Sequence, residues 1–215
     1  MDITESVKRV YRSRLRADQA AATRLAIIRA ASDLFAARGY VTTSIDDIAA
    51  AARVSRATVF TSVGGKVALL KLAYDVALVG DDEPVPLPAR PRSRQIQAEP
   101  DARRFLTQYA QLVADIDARV ASIYEAVRGA ASADLDIAAM WREIQAERRV
   151  GAGNVVRMTE SKSPLRAGLS AEAAADVVWV LIDPAWYWQL VAERQWSLEQ
   201  FAAWLGQTLI AQLLP

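Results

Sequence analysis

Residues 39–70 combine residue types and spacing that point to one chemistry, hydrogen bonding to nucleic acid. Ile45, Ile48 and Ala49 put apolar side chains at positions i, i+3 and i+4, which form one face of a short helix. Four residues later Arg53 falls in a turn, and a second short helix follows. Two short helices joined by such a turn hold one helix in the major groove of DNA. The segment is therefore predicted to be a helix-turn-helix motif.

Polar residues mark where both helices of this motif should begin. Ser44 with Asp47, or Thr43 with Asp46, has the spacing of a capping box, which starts the first helix at about residue 44. Ser55 can cap the second helix through its hydroxyl. The two caps together predict the length of the turn.

The second helix should bury one face and leave the other free. Its buried positions are predicted to be Val54, Thr58 and Val59. The residues left facing outward are Arg56, Ala57, Thr61 and Ser62. Small and hydrogen-bonding side chains on a free face suit the base edges of the major groove. Gly64 and Gly65 then break the chain before Lys66 starts another helix, where a lysine could reach a phosphate.

The same pattern is compatible with a helical hairpin in an ordinary bundle, in which the glycines and caps only end and begin helices. A family resemblance favours DNA binding instead. From about residue 24 to residue 72 the chain resembles the DNA-binding domain of the TetR family of transcriptional regulators. The residues that carry the resemblance are Gly39-Tyr40, Thr43-Ser44-Ile45, Ile48-Ala49, Val54-Ser55, Thr58-Val59-Phe60, Lys66 and Leu69-Leu70, after a helix at Arg24-Leu25-Ala26-Ile27-Ile28-Arg29-Ala30-Ala31.

Four positions depart from the pattern of that family. Arg53 stands where the family usually has a turn glycine, and a left-handed backbone there costs a non-glycine residue roughly 1–2 kcal/mol. Phe60 replaces a frequent tyrosine, and Ser62 and Val63 replace a frequent histidine and phenylalanine. We therefore expect fewer phosphate contacts on that side of the motif, with Arg53 and Arg56 as candidate replacements.

Composition excludes several classes of site. The chain of 215 residues has no cysteine and no histidine, which rules out disulfides, thiol catalysis, Ser-His triads and the usual zinc sites. No catalytic residue, metal ligand or cofactor is predicted, and we expect no enzyme activity. The start of the chain is polar, and the apolar stretch 177–192 is interrupted by Asp183, Pro184 and Gln189. A cytoplasmic protein without a membrane segment is expected.

Charge is distributed unevenly along the chain. Residues 1–72 hold 12 Lys/Arg against six Asp/Glu, whereas the rest of the chain is acidic. A basic N-terminal third suits a surface that faces phosphates, although chance clustering on a solvated face would look the same. Residues 1–20 are predicted to form a basic arm, whose cations include Lys8, Arg9, Arg12, Arg14 and Arg16. This arm could contact DNA, remain a disordered tail, or be helical from Val7 onward and continue into the first helix.

The rest of the chain should be all-helical. Residues 21–72 are assigned to the helix-turn-helix domain and residues 73–215 to a larger helical domain. Within the latter, residues 80–100 contain five of the eight prolines and are expected to be a loop or extended connection, either mobile or packed over the body. Helices are predicted at about residues 101–130, 134–160, 171–193 and 197–213, and Pro184 should kink the third of these.

The resemblance implies that the second domain binds a small molecule and dimerises through its last two helices. Candidate apolar stripes for that interface are Ala173, Val177, Val180 and Leu181 on one helix and Phe201, Leu205, Leu209 and Leu213 on the other. The alternative is that these stripes pack only against their own subunit. The interface matters because a single short helix contacts too few bases for useful specificity.

Aromatic residues are the best clue to a ligand. A pocket is predicted from Tyr109, Tyr124, Trp141, Trp179 and Trp186, which would suit a flat or apolar molecule. Tryptophan also commonly fills a core or a dimer interface, so each of these residues has a purely structural alternative. The ligand itself is not identified by the sequence.

The sequence thus predicts a TetR-like regulator that binds a near-palindromic operator as a homodimer and is released by a small effector. Arg56, Ala57 and Thr61 would read bases. Thr43, Ser55, Ser62 and Lys66 would hold phosphates. Two alternatives stay open: a regulator that acts without a ligand or as an activator, and a helical small-molecule-binding protein whose DNA binding has weakened.

Overall fold

The computed structural model describes residues 3–81 and 83–215, with side chains described from residue 15 onward. This part of the chain contains helices and no strand, which confirms the predicted all-helical class. It forms two compact units, Met1–Tyr74 and Asp75–Pro215. Within the described residues, no helix has the length and apolar character needed to cross a membrane.

The N-terminal unit is built from a long helix and the helix-turn-helix pair. Helix α1 spans Ile3–Thr42, α2 spans Ile45–Ala51, α3 spans Arg56–Val63 and α4 spans Lys66–Val79. The last turn of α1 is set apart by Gly39, whose φ of 78° is left-handed and favours glycine. The backbone of the predicted arm is helical from Ile3 and continuous with the first helix. Among its cations, the side chains of Lys8, Arg9, Arg12 and Arg14 lie outside the described residues, and Arg16 is exposed.

A small apolar core holds this unit together. Every helix contributes fully buried side chains, each of which stabilises the fold by roughly 1.5–3 kcal/mol through removal of apolar area from water. They are Ile27, Ile28, Ala31 and Phe35 of α1, Ile48 of α2, Val59 of α3, and Leu69 and Leu70 of α4. Because α2 and α3 are too short to be stable alone, their position depends on this shared core.

The C-terminal unit is built from helices that differ widely in length. The helices are α5 Pro91–Gln97, α6 Ala102–Ala130, α7 Leu135–Glu160, α8 Ala171–Leu181, α9 Pro184–Tyr187 and α10 Leu198–Leu213. A π-helical segment, Trp188–Glu193, follows α9 directly. The starts of α6, α7 and α10 agree with prediction to within a residue or so. Ser197 forms the capping box that starts α10.

The expectation that residues 80–100 contain no helix is wrong. A 3₁₀ turn covers Leu87–Ala89 and α5 covers Pro91–Gln97. Proline misled the prediction, because at the first position of a helix it needs no hydrogen-bond partner and its fixed φ suits the helix. The segment packs on its own unit: Ile96 is buried in the core, and Lys162 Nζ donates to Gln97 O at 3.0 Å.

The single helix predicted over residues 171–193 is also wrong as one element. Pro184 was expected to kink it, but α8 stops at Leu181 and a new helix begins at Pro184. Asp183 caps that helix by accepting from Ala185 N at 2.9 Å. At this interruption the Asp183 side chain lines the pocket that is described below.

The apolar stripe of α10 packs within its own subunit. Its four large residues Phe201, Leu205, Leu209 and Leu213 are fully buried in the core that α10 shares with α6. Gly206 permits the close approach, because a Cβ there would lie 3.4 Å from Ala110 Cβ. Prediction of this stripe as dimer surface is therefore wrong. On α8 the exposed members of the predicted edge are Ala173 and Val180.

Candidate nucleic-acid interface and aromatic pocket

The start of α2 is fixed by a reciprocal pair of hydrogen bonds. Ser44 N donates to Asp47 Oδ2 at 2.9 Å, and Asp47 N donates to Ser44 Oγ at 3.1 Å. This is the first of the two capping boxes that the sequence allowed. The hydrogen bonds from Ser44 lower the pKa of the Asp47 carboxyl, so the box keeps its charge at neutral pH.

The turn between α2 and α3 keeps a left-handed residue even though glycine is missing. Arg53 has φ 56°, and its backbone N–H donates to Ala50 O at 3.1 Å. Val54 N donates to Ala49 O at 3.0 Å, which closes the end of α2. The expected strain at Arg53 is therefore present in the backbone, and the turn is not reshaped to avoid it.

Helix α3 is anchored on one side and open on the other. Ser55 Oγ accepts from Thr58 N at 3.0 Å, which confirms the predicted cap. Val59 and Val63 are buried, whereas Val54 and Thr58 are only half-buried. The sequence pattern predicted the buried face of α3 one turn too early in the chain, so the burial of Val63 was not expected.

The open side of α3 presents Arg56, Ala57, Phe60 and Thr61. Arg56 Nη1 lies 2.6 Å from Asp46 Oδ2, with both side chains largely exposed. The guanidinium also lies 5.5 Å from the centre of the Phe60 ring. Thr61 Oγ1 donates to Ala57 O at 3.1 Å, which leaves the lone pairs of its hydroxyl oxygen available as acceptors.

The four predicted phosphate-binding residues occupy different environments. Thr43 is only 1% exposed, and its hydroxyl lies within hydrogen-bonding distance of two backbone carbonyls, Gly39 O at 2.8 Å and Leu34 O at 3.3 Å. Lys66 Nζ lies 4.1 Å from the centre of the Tyr40 ring. Ser55 is exposed at the start of α3, and Ser62 is half-buried near its end. Only Ser55, Ser62 and Lys66 thus lie at the surface.

A separate pocket of about 300 Å³ lies in the C-terminal unit. Four of the five predicted aromatic residues line it: Tyr124, Trp141, Trp179 and Trp186. Tyr109 does not; it stacks on Phe105 with ring centroids 6.3 Å apart. The prediction missed the polar lining residues Arg128, Asp183 and Gln189, because no periodic signal brings α6 and the α8–α9 break together.

A buried polar network lies directly behind this lining. Arg148 Nη1 is 3.0 Å from Asp183 Oδ2, and the arginine side chain is only 10% exposed. Tyr124 OH donates to the same carboxylate oxygen at 3.0 Å. Gln145 Nε2 donates to Tyr124 OH at 2.9 Å, and Arg148 Nη2 donates to Trp179 O at 2.9 Å. Burial raises the pKa of the Tyr124 phenol, so it remains a proton donor in this network.

Comparison with known proteins assigns the N-terminal part of the chain to a family. Residues 27–73 match the family model described as bacterial regulatory proteins, tetR family. No curated protein is significantly similar in sequence. The segment that matches contains the helix-turn-helix motif with its left-handed Arg53.

Solved structures extend the likeness to the whole fold. NalD, the secondary repressor of the MexAB-OprM multidrug efflux pump in Pseudomonas aeruginosa, is 20% identical with a TM-score of 0.66, over 91% of this chain and 98% of that chain. A protein from Saccharomonospora viridis, assigned as a transcriptional regulator and solved with choline, is 19% identical with a TM-score of 0.65, over 89% and 97%. A regulator from P. aeruginosa PAO1 is 21% identical with a TM-score of 0.65, over 87% and 88%.

At these identities the structures show a shared fold, while the family-model match is confined to residues 27–73 of the N-terminal unit. The predicted resemblance is confirmed on both counts. The chain thus has an N-terminal helix-turn-helix domain, within which residues 27–73 match the TetR-family model, and a C-terminal helical domain, as in these solved structures.

Proposed function

We propose that this regulator is a repressor that binds a near-palindromic operator as a homodimer and releases it when a small molecule occupies the aromatic pocket. The observation that carries the proposal is the open side of α3, where Arg56, Ala57 and Thr61 stand exposed on a helix anchored by Val59 and Val63. Such a helix has the size and the polarity to enter the major groove.

The three proposed base-reading residues have different roles. Arg56 can donate two hydrogen bonds to a guanine, the Ala57 methyl can contact a thymine methyl, and the Thr61 hydroxyl can serve either kind of base edge. Asp46 holds Arg56 in the DNA-free chain. Because the pair is exposed, exchanging Asp46 for a base edge costs little.

Ser55, Ser62 and Lys66 are proposed to hold phosphates, which would set the register of α3 on the duplex. Thr43 is left out of this set, since its buried hydroxyl is held among carbonyl oxygens of α1. Its proposed role is to fix the last turn of α1 against the start of α2. We therefore propose one phosphate-binding residue fewer than the sequence predicted.

A dimer is proposed because one α3 helix contacts too few base pairs for specific binding, and two-fold symmetry doubles the site. Since the α10 stripe is used internally, the interface must use outward residues of α8 and α10, including Ala173 and Val180.

The aromatic pocket is proposed as the effector site. A volume of about 300 Å³ is at the lower end for small-molecule sites, and four of the nine lining residues are aromatic. An effector that prefers the non-binding form of the dimer would weaken operator affinity by its differential affinity, typically 1–3 kcal/mol. The choline complex of a similar fold supports a small-molecule site in this architecture.

The alternative is a helical small-molecule-binding protein or ligand-independent regulator with weakened DNA binding. Two observations favour it: Phe60 offers no hydroxyl to a phosphate, and Arg56 is occupied by Asp46. In this case the C-terminal unit would bind ligand while α3 has no specific operator.

Selection of bound fragments from a genomic library, at low salt and without added ligand, tests these candidates. A recurrent near-palindromic sequence supports the regulator, and no enrichment supports the alternative. On that sequence Arg56→Ala should lose discrimination at particular base pairs, whereas Lys66→Ala should weaken all sequences and lower the salt slope by about one. Arg94→Ala, an exposed arginine of the C-terminal unit, is the matched control. An unchanged binding profile for Arg56→Ala would refute the base-reading assignment.

A further inference from the structure

One hydrogen-bond donor of the aromatic pocket is held in place but left unused. Arg128 lines the pocket, and its guanidinium donates to Glu125 through Nε and Nη2, with Nη2 2.5 Å from Glu125 Oε2. The remaining nitrogen, Nη1, makes no hydrogen bond to any described residue. Because the carboxylate of Glu125 fixes one edge of the planar group, a ligand that binds Nη1 has less side-chain freedom to restrict.

The other charged group that lines the pocket, Asp183, already has its acceptors filled. Its Oδ1 accepts from Ala185 N at 2.9 Å, and its Oδ2 accepts from Tyr124 OH at 3.0 Å and lies 3.0 Å from Arg148 Nη1. The Arg148 side chain is only 10% exposed, so a ligand cation that displaced it would leave a buried arginine without its carboxylate. Asp183 is therefore part of the wall of the pocket and not a vacant site for a cation.

The ring faces of the pocket are likewise already in contact with cations. The guanidinium carbon of Arg149 lies 4.6 Å from the centre of the Trp179 ring, and that of Arg148 lies 5.7 Å from the same centre. Arg148 also lies 5.6 Å from the centre of the Tyr124 ring. The negative potential of these faces is thus partly neutralised by the protein itself, which weakens the usual preference of an aromatic pocket for a cation.

The charged groups at the pocket sum to a positive value. The two ion pairs described above cancel, whereas Arg149 is exposed and forms no ion pair with a described residue. Asp117, a buried acid of α6, is not part of the lining, and burial raises the pKa of its carboxyl, which favours the uncharged form. An anionic ligand is therefore attracted by the pocket, and a cationic ligand is repelled.

We infer that the aromatic pocket binds an aromatic carboxylate, whose carboxylate group accepts a hydrogen bond from Arg128 Nη1. The ring system of the ligand packs among Trp141, Trp179 and Trp186, which line the same pocket. Gln189 lines it from the π-helical segment, and its amide, which makes no hydrogen bond to a described residue, is available as a second donor. Arginine bonds an ionised acceptor more strongly than a neutral one, so the carboxylate is preferred over the corresponding amide.

This inference rests on the proposed effector site and not on operator binding, so it is tested on the full chain without DNA. Three probes share a naphthalene ring and differ in one planar substituent: 2-naphthoate, neutral 2-naphthamide and cationic 2-naphthamidinium. Calorimetric titration at neutral pH should give at least about fivefold tighter binding for the carboxylate than for the amide, and still weaker binding for the cation. The factor is modest because the Arg128 side chain is 57% exposed and water screens its charge.

The outcomes separate this inference from the site on which it rests. Equal affinities, or a preference for the amide or the cation, would overturn the inference and leave the effector site standing. No binding of any probe at about 5 mM, roughly the weak limit for a ligand of this size, would overturn both. Failure of the operator selection with an intact preference for the carboxylate would refute the repressor and leave this inference standing.

Substitution of single arginines locates the contact. Arg128→Gln removes the charge and keeps a planar polar end, so the carboxylate-to-amide affinity ratio should fall to near one. Arg104→Gln is the matched control, because Arg104 is also an exposed arginine of α6 paired with a glutamate, its Nε 3.2 Å from Glu99 Oε1. It lies about 36 Å away along the helix and should keep the ratio.

Arg149→Gln tests whether the net charge alone is responsible. It should lower the ratio less than Arg128→Gln does, because Arg149 is exposed and does not line the pocket. In each variant an unchanged affinity for the neutral amide shows that the pocket is still folded. A ratio that survives in Arg128→Gln, or a larger loss in Arg149→Gln, contradicts the contact with Arg128.

Discussion

Each unit of the molecule contains an arginine–aspartate pair, and the two pairs differ in burial more than in distance. Arg56 and Asp46 are 2.6 Å apart with side chains 58% and 66% exposed. Arg148 and Asp183 are 3.0 Å apart with side chains 10% and 27% exposed. Water screens the charges of the first pair strongly and those of the second pair much less. The first can exchange partners at little cost, whereas the second must be given a new partner whenever it opens.

The difference shows where each unit places its charged side chains. In the N-terminal unit, charged side chains stand at the surface and the fold depends on caps and a small apolar core. In the C-terminal unit, charged groups are part of the interior, so stability and the proposed ligand binding depend on the same residues. Changes to each pair therefore test the comparison directly.

The largest effect is expected from Arg148→Met, which keeps much of the side-chain length but removes the charge. Asp183 would then lack the cation that it is paired with, and loss of one partner of a buried pair costs about 3–5 kcal/mol. Denaturant unfolding followed by circular dichroism measures this loss. Adding Asp183→Asn should restore part of it, and a double variant no more stable than Arg148→Met would show that the two side chains are not coupled.

A smaller effect of opposite sign is expected from Asp117→Asn. Folding raises the pKa of Asp117 above its ordinary value of 3.8, so the folded state binds more protons than the unfolded state and stability falls as pH rises above that value. The groups that act on this carboxyl are Tyr109 on its own helix, Arg148 on α7, and Asp183 and Tyr187 from the α8–α9 region.

The asparagine variant should therefore be more stable than the parent at neutral pH, by about 1–3 kcal/mol. The gain should shrink as the pH is lowered toward 4, where the parent carboxyl is protonated. Unfolding curves from pH 4 to pH 8 give both quantities. A pH-independent difference would mean that Asp117 stays ionised in the fold.

In the N-terminal unit, Arg53→Gly should increase stability by about 1 kcal/mol, the balance between relief of a left-handed arginine and the flexibility of glycine. Thermal unfolding is the measurement. Gly64→Ala is the converse control, since Gly64 has φ 85° and the alanine should destabilise. A decrease in stability for Arg53→Gly would show that contacts of the Arg53 side chain outweigh the backbone strain.

The smallest effect is expected at the exposed pair. A double-mutant cycle with Arg56→Ala and Asp46→Ala should give a coupling energy below about 1 kcal/mol, which falls further in high salt. A coupling as large as that between Arg148 and Asp183 would abolish the contrast between the two units. It would also make the proposed exchange of Asp46 for a base edge costly.

The sequence predicted the N-terminal unit well because its features are local. A serine three residues before an aspartate specifies a cap, and an arginine at a glycine position predicts a left-handed residue whatever the rest of the chain does. Thr43 was harder, because its burial depends on the backbone break at Gly39 four residues earlier.

The C-terminal unit was predicted less well because its key contacts join distant segments. The apolar stripe beginning at Phe201 shows that one face of α10 is covered, but it does not say whether the cover is α6 or a second subunit. Nothing near Arg148 or Asp183 in sequence signals that the two side chains form an ion pair. The prediction of a loop over the proline-rich stretch was wrong for another reason. In sequence, a proline at the first position of a helix cannot be distinguished from a proline in a loop unless the positions of the preceding residues are known.

The placement of the tryptophans gives this regulator an optical asymmetry. All six lie beyond residue 140, so the N-terminal unit contains none. Three of them line the pocket, and Trp204 lies within 6.4 Å, ring centre to ring centre, of both Trp186 and Trp196. Excitation at the red edge of the indole band therefore excites the C-terminal unit alone, and half of the emitting tryptophans line the pocket, so that binding there can be followed without a label.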